Sequence, residues 1–120
     1  MVHTSKVKLT VKVRAAEPYV TADGKRPYDQ WLWKLKDLRA KARVAARVDR
    51  AARGNFGSYR HLHAGMFELK EDMGPGYRIY FGVDGDQLIV LLAGGDKGTQ
   101  ARDISRAKEY WTDYLWRKQK

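Results

Sequence analysis

The chain has 120 residues, with 24 Lys and Arg against 14 Asp and Glu, a formal net charge of +10, and 43% hydrophobic residues. That length fits one compact domain over residues 1–120, and the apolar content separates it from a disordered basic tail. With no cysteine, disulfide frameworks, thiolate nucleophiles and Cys-containing zinc sites are excluded. The longest apolar run, Leu88 to Ala93, falls well short of the roughly 20 residues that span a bilayer, and the opening MVHTSKVK holds no apolar core of a secretory signal. The expectation is a cytoplasmic domain with no membrane partner, whose charge calls for an anionic one: nucleic acid or an acidic protein.

Val7 to Val13 alternates apolar and polar residues, which predicts a strand with one wet face. Pro18, Asp23 and Gly24 mark the stretch 17–26 as a turn-containing connection, and Pro27 suits the first turn of a helix. Tyr28, Trp31, Leu32, Leu35 and Leu38 follow at helical spacing, with a break near Asp37. A second helical segment runs from about Leu38 to Arg53 and stops at Gly54-Asn55. Residues 55–64 carry turn formers and two histidines, and are predicted to be a surface loop. Strands are predicted over 66–70, 77–83 and 88–93, the last pair joined by a tight turn at Asp84-Gly85-Asp86. Thr99 is a candidate N-cap, and Ile104, Ala107, Trp111, Tyr114 and Leu115 form the buried stripe of a C-terminal helix. The order β-α-α-β-β-β-α makes this an α+β domain: one mostly antiparallel four-stranded sheet flanked by helices.

Two charge clusters stand out. At about 100° per residue, Lys36, Arg39, Arg43, Arg47 and Arg50 share one helical stripe, a pattern that can track a phosphate backbone, bind an acidic protein or form a solvated face. Lys70, Arg78 and Lys97 come from three strands or strand ends. On a shared face they make a cationic pocket for a phosphate and its developing charge, or else cross-strand salt bridges. Glu68 shares the face of Lys70. Tyr77 and Tyr80 bracket Arg78, placed either to stack on unpaired bases or to pack a core. His61 and His63 alternate, so they can point the same way as acid–base or RNA-contacting groups. No third ligand stands at a characteristic spacing for a metal.

Several motifs resemble the RelE/ParE-type toxin superfamily: the helix start Pro27-Tyr28-Asp29-Gln30-Trp31-Leu32, then Gly54-Asn55-Phe56-Gly57, Glu68-Leu69-Lys70, Gly74-Pro75-Gly76-Tyr77-Arg78-Ile79-Tyr80-Phe81, Gly94-Gly95-Asp96-Lys97, and Asp103-Ile104 with Ala107 and Tyr110. The likeness spans about residues 17 to 114 and is greatest to the HigB-like branch, the addiction module killer proteins. The resemblance implies a RelE-like fold and the toxin of a type II toxin–antitoxin pair. Its partners would be a cognate antitoxin, acidic or of helix-turn-helix type, and the ribosome with its mRNA. Many members of the superfamily are mRNA endoribonucleases that need neither metal nor cofactor, because the RNA 2′-hydroxyl attacks the adjacent phosphate. The ParE branch poisons DNA gyrase instead, and a non-catalytic antitoxin- or nucleic-acid-binding module is the remaining alternative. By the same resemblance Arg78 matches the arginine of the family's "GYR" strand, and Lys70 and Lys97 fall near its other basic site positions. Asp96, Tyr110 and Tyr114 are the nearest candidates for the acid and base.

Overall fold

The computed structural model describes residues 8–120. Helix α1 spans Pro27–Lys34, with proline in its first turn, where the missing N–H is no loss. Asp37 then separates the helical pair. Its carboxylate accepts the Arg39 and Ala40 N–H groups at 2.9 and 3.3 Å, which caps and starts α2 at Leu38–Ala52. The chain leaves α2 through Gly54 at φ +97°, a left-handed exit that favours glycine.

Five strands follow or precede this pair: β1 Ala15–Pro18, β2 Tyr59–His63, β3 Met66–Glu71, β4 Tyr77–Asp84 and β5 Leu88–Asp96. A short 3₁₀ turn, Lys97–Thr99, leads into α3 at Gln100–Lys118. The sheet order is β1-β5-β4-β3-β2; β1 runs parallel to β5 and every other pair is antiparallel. Helices α1 and α2 cover one face, over Phe67, Leu69, Ile79, Phe81, Ile89 and Leu91. Helix α3 covers the other, over Met66, Tyr80, Val90 and Leu92. Ala107 and Trp111 are the buried members of its predicted stripe, and Ile104, Tyr114 and Leu115 are half-buried. Two indoles lie directly on backbone: a β-carbon would clash with Trp111 at Gly82 and with Trp31 at Gly94.

The α+β class is as predicted, with corrections in its parts. The sheet has five strands and not four; it is mostly antiparallel, as predicted, with one parallel pair. Residues 8–14 form no strand, and Val7 lies outside the described residues. Val11 and Val13 are 75% and 77% exposed. The segment is tied instead through Arg14, whose N–H bonds the Ala52 carbonyl and whose guanidinium bonds the Thr10 and Gly85 carbonyls. Only Ala15–Pro18 reaches the β5 edge, opposite Leu88–Leu91. The predicted loop at 55–64 contains β2. As an edge strand it needs apolar residues on little more than one side, so Arg60, His61 and His63 obscured it.

Candidate functional site

Along the α3 face, the register aligns Lys70 with Arg78 and Arg78 with Gly95; the next row aligns Arg60, Glu68, Tyr80 and Ala93. These two rows bring together a cluster of polar side chains at one end of the sheet, beneath the first turn of α3. Glu68, 4% exposed, accepts from Arg60 Nε at 2.9 Å and from Gln100 Nε2 at 3.0 Å. Asp103, 6% exposed, accepts the Thr99 hydroxyl at 2.5 Å and faces Arg102 at 3.5 Å. It fits because Gly95 beneath it has no β-carbon.

Arg78 is 6% exposed, so it lies beneath the surface and not on an open face. Among the described residues no carboxylate comes within ion-pair distance of it. Among the described residues its side chain makes one hydrogen bond, from Nη1 to the Tyr77 carbonyl at 3.3 Å. An added β-carbon at Gly76 would stand 3.2 Å from Arg78 Nη1 and 3.6 Å from Lys97 Cβ, so this bare glycine sits between the two cations. Lys97 is exposed. Lys70 is exposed on the strand neighbouring Arg78 and faces Asp72 at 3.6 Å. The Tyr80 hydroxyl is buried and has no hydrogen-bond partner among the described residues. Burial first, then the charge and close approach of the Glu68 carboxylate, then the charge of Asp103, push this phenol well above its ordinary pKa, with Arg78 opposing. An arginine held with free hydrogen-bonding capacity, flanked by two lysines, can receive a phosphate and the charge that grows on it.

The other candidates have structural engagements of their own. Asp96 caps the 3₁₀ turn, accepting from Gly98 N–H at 2.8 Å. Tyr77 is buried against Trp31 on the helical-pair face, and Tyr80 is fully buried, so neither ring has a free face for a base. His61 packs on Phe67, with ring centroids 5.1 Å apart, and a bulge separates it from His63. Through Phe67 it belongs to the helical-pair face, opposite Arg78. Tyr114 bonds Asp84 at 2.6 Å, at the other end of β4 from Arg78. Tyr110 stacks on Tyr19 at 5.0 Å.

The basic stripe of α2 is interrupted. Lys36 precedes the Asp37 cap, so it lies in the connection between the helices and not on the stripe; it, Arg39 and Arg50 are exposed, and Arg43 bonds Glu71 at 3.3 Å. Arg47 is buried, donating to the carbonyls of Lys70, Phe56 and Ser58, so it holds the β2 approach together and does not face solvent. Burial lowers its pKa. Its spacing from Val44 and Ala51, three and four residues away, was the available signal. Sequence reasoning also missed Arg60, Gln100 and Asp103. An acid one helical turn after Thr99 was the visible trace of the last. Among the described residues no three His, Asp or Glu side chains gather as a metal cradle, and no helix is long and apolar enough to cross a membrane.

The fold and this cluster define a basic α+β domain with a buried arginine beside two exposed lysines at one end of its sheet. Residues 30–111, from α1 into α3, match the family described as Phage derived protein Gp49-like (DUF891). An uncharacterized protein of Haemophilus influenzae (strain ATCC 51907 / DSM 11121 / KW20 / Rd) is 51% identical over 81 residues, covering 68% of this chain and 82% of that protein. The chain belongs to the Gp49-like family, a toxin-like family related to addiction module killer proteins.

Proposed function

We propose that this protein is the toxin of a type II toxin–antitoxin pair, of HigB-like type, acting in the cytoplasm as a metal-independent endoribonuclease on ribosome-bound mRNA and neutralised by a cognate antitoxin. The observation that carries the reading is Arg78: a buried arginine with no carboxylate partner among the described residues, between Lys70 and Lys97. A buried cation without a counter-ion is costly to the fold, which fits a site completed by an anionic ligand. The RNA 2′-hydroxyl attacks the adjacent phosphorus, the P–O5′ bond breaks, and negative charge gathers on the non-bridging oxygens in between. Arg78 stabilises that charge, and Lys70 and Lys97 draw the backbone in. The ribosome holds the RNA in place, so this chain needs to position and polarise rather than supply a nucleophile.

The test is induction of wild type and Arg78→Ala without antitoxin, followed by mapping of mRNA 5′ ends and gyrase-linked DNA breaks. Arg78→Ala cuts cleavage by at least about a hundredfold, the scale of losing one transition-state donor, and restores growth. Full cleavage by Arg78→Ala overturns the site. Wild-type arrest with DNA breaks and no RNA cleavage replaces the reading with gyrase inhibition, and wild type with neither leaves a non-catalytic binding module.

A further inference from the structure

On the other side of the first turn of α3 from Arg78 lies a cleft of about 350 Å³ between α1 and α3. It opens where β1 has ended. That strand covers the β5 edge only as far as Leu91, so the edge at Ala93 and Gly94 forms the floor. Lys25, which faces Asp23 at 3.7 Å, and Lys34 line one side, and Arg102 and Arg106 the other. Lys34 and Arg106 are exposed and have no carboxylate within ion-pair distance among the described residues. The only acid in the lining is Asp103, which is already engaged by Thr99 and Arg102. Trp31 and Tyr110, both half-buried, supply aromatic surface.

The geometry points to this cleft as a binding subsite for the nucleotide adjoining the cleaved phosphate of a single-stranded RNA. This rests on the nuclease reading above and extends it to residues 25, 34, 102 and 106. Three observations favour RNA over an acidic peptide. The volume is that of a small-ligand site, enough for one nucleotide and little for a length of polypeptide. Cations stand beside two half-buried rings, each covered on one side, Tyr110 by Tyr19 and Trp31 by the Gly94 backbone, and aromatic surface next to cations is the combination that binds phosphate and base together. The cleft also adjoins the Arg78 row across the first turn of α3. Gly95 is the register partner of Arg78, about 4.8 Å across the sheet, and the Gly94 floor is the next residue, about 3.8 Å on. A strand with one phosphate at Arg78 passes over Lys97 and the first turn of α3 and delivers its neighbour here.

The test uses the full chain and a single-stranded RNA hexanucleotide methylated at every 2′-oxygen, so that it binds without being cut. Fluorescence anisotropy is measured across a salt series for wild type, for Lys34→Ala with Arg106→Ala, and for Lys34→Arg with Arg106→Lys. Both positions are exposed, and a thermal melt verifies that each variant is folded. Losing two phosphate contacts weakens binding on the order of tenfold at low salt and flattens the slope of log affinity against log salt by about 1.4. The conservative pair restores both. Wild-type affinity and slope in the alanine pair, in a protein that cleaves RNA, overturn this subsite and leave the nuclease reading standing. Wild type that neither binds nor cleaves RNA overturns both. Tight binding of poly-aspartate that the alanine pair abolishes, with RNA binding unchanged, replaces the nucleotide with an acidic protein segment.

Discussion

The Asp103 carboxylate occupies the space above Gly95, where a β-carbon would overlap Oδ2 and crowd the Thr99 hydroxyl. Through this contact the first turn of α3 is seated on β5, one strand from Arg78. The Arg78 cluster and the adjoining cleft are therefore separated by a wall whose position depends on a missing side chain.

Gly95→Ala accordingly forces Asp103 and the start of α3 away from the sheet. The expected cost is about 1–3 kcal/mol, the usual range for overpacking a filled site, read as a lower Tm. Cleavage falls with it, because the wall between the two sites moves. An unchanged Tm would mean that α3 shifts without resistance.

Arg47 and Arg50 share the predicted α2 stripe but are expected to behave differently. Arg47→Met keeps the stem and leaves the Phe56, Ser58 and Lys70 carbonyls without their charged donor. It costs about 3 kcal/mol in urea unfolding, on the scale of lost hydrogen bonds to a charged group. Arg50→Ala, at an exposed position without an ion pair among the described residues, stays within about 0.5 kcal/mol. Equal stabilities would place Arg47 in solvent.

Tyr80→Phe removes a buried hydroxyl that bonds nothing among the described residues. The unliganded protein gains about 1 kcal/mol, the low end of the penalty for an unsatisfied buried group. If that hydroxyl meets the ligand at the pocket, cleavage declines while Tm rises. A Tm that drops instead would show that the hydroxyl has a partner in solution.

At the other end of the sheet, Asp84 accepts from Tyr114 and pairs with Lys118. The hydrogen bond from Lys118, then that from Tyr114, holds the Asp84 carboxyl below its usual range. A depressed folded pKa means that this stability is present above the unfolded value and is lost as pH falls through the folded one. Tyr114 goes the other way: burial first, then Asp84, pushes it up to about 12. Its contribution is complete below the ordinary tyrosine value of about 10 and is lost as pH rises from there towards about 12. Asp84→Asn removes the acid-side loss in urea unfolding. In phenolate absorbance it lowers the Tyr114 titration only in part, because burial remains. A return to the ordinary tyrosine value would assign the whole shift to Asp84.

Much of the framework was legible because its signals are local. Pro27 opens a helix, the Asp37 carboxylate caps the next, Asp84-Gly85-Asp86 turns a hairpin, and the runs at 66–70, 77–83 and 88–93 are apolar enough to be strands wherever they pair. From the strand order alone, Lys70, Arg78 and Lys97 also belong at one end of one sheet. Strand β2 was not legible, since its polar residues are tolerated only because it lies at an edge. Nor was the placement of β1, since Val11 and Val13 satisfy a strand pattern but find no edge to pair with.

By itself, then, the sequence determined the class of fold, the starts of the helices, the turn of one hairpin, and the charge that any ligand must answer. Tertiary structure alone decided which cations are free. Arg47 and Arg78 are both buried, yet the first meets three carbonyls across a turn that only folding brings near, while the second meets a single carbonyl and no carboxylate among the described residues. Helical phase and strand alternation state where a side chain points, not what stands opposite it. An arginine is spent on structure or held open for a ligand according to those opposing groups, and they arrive from distant parts of the chain.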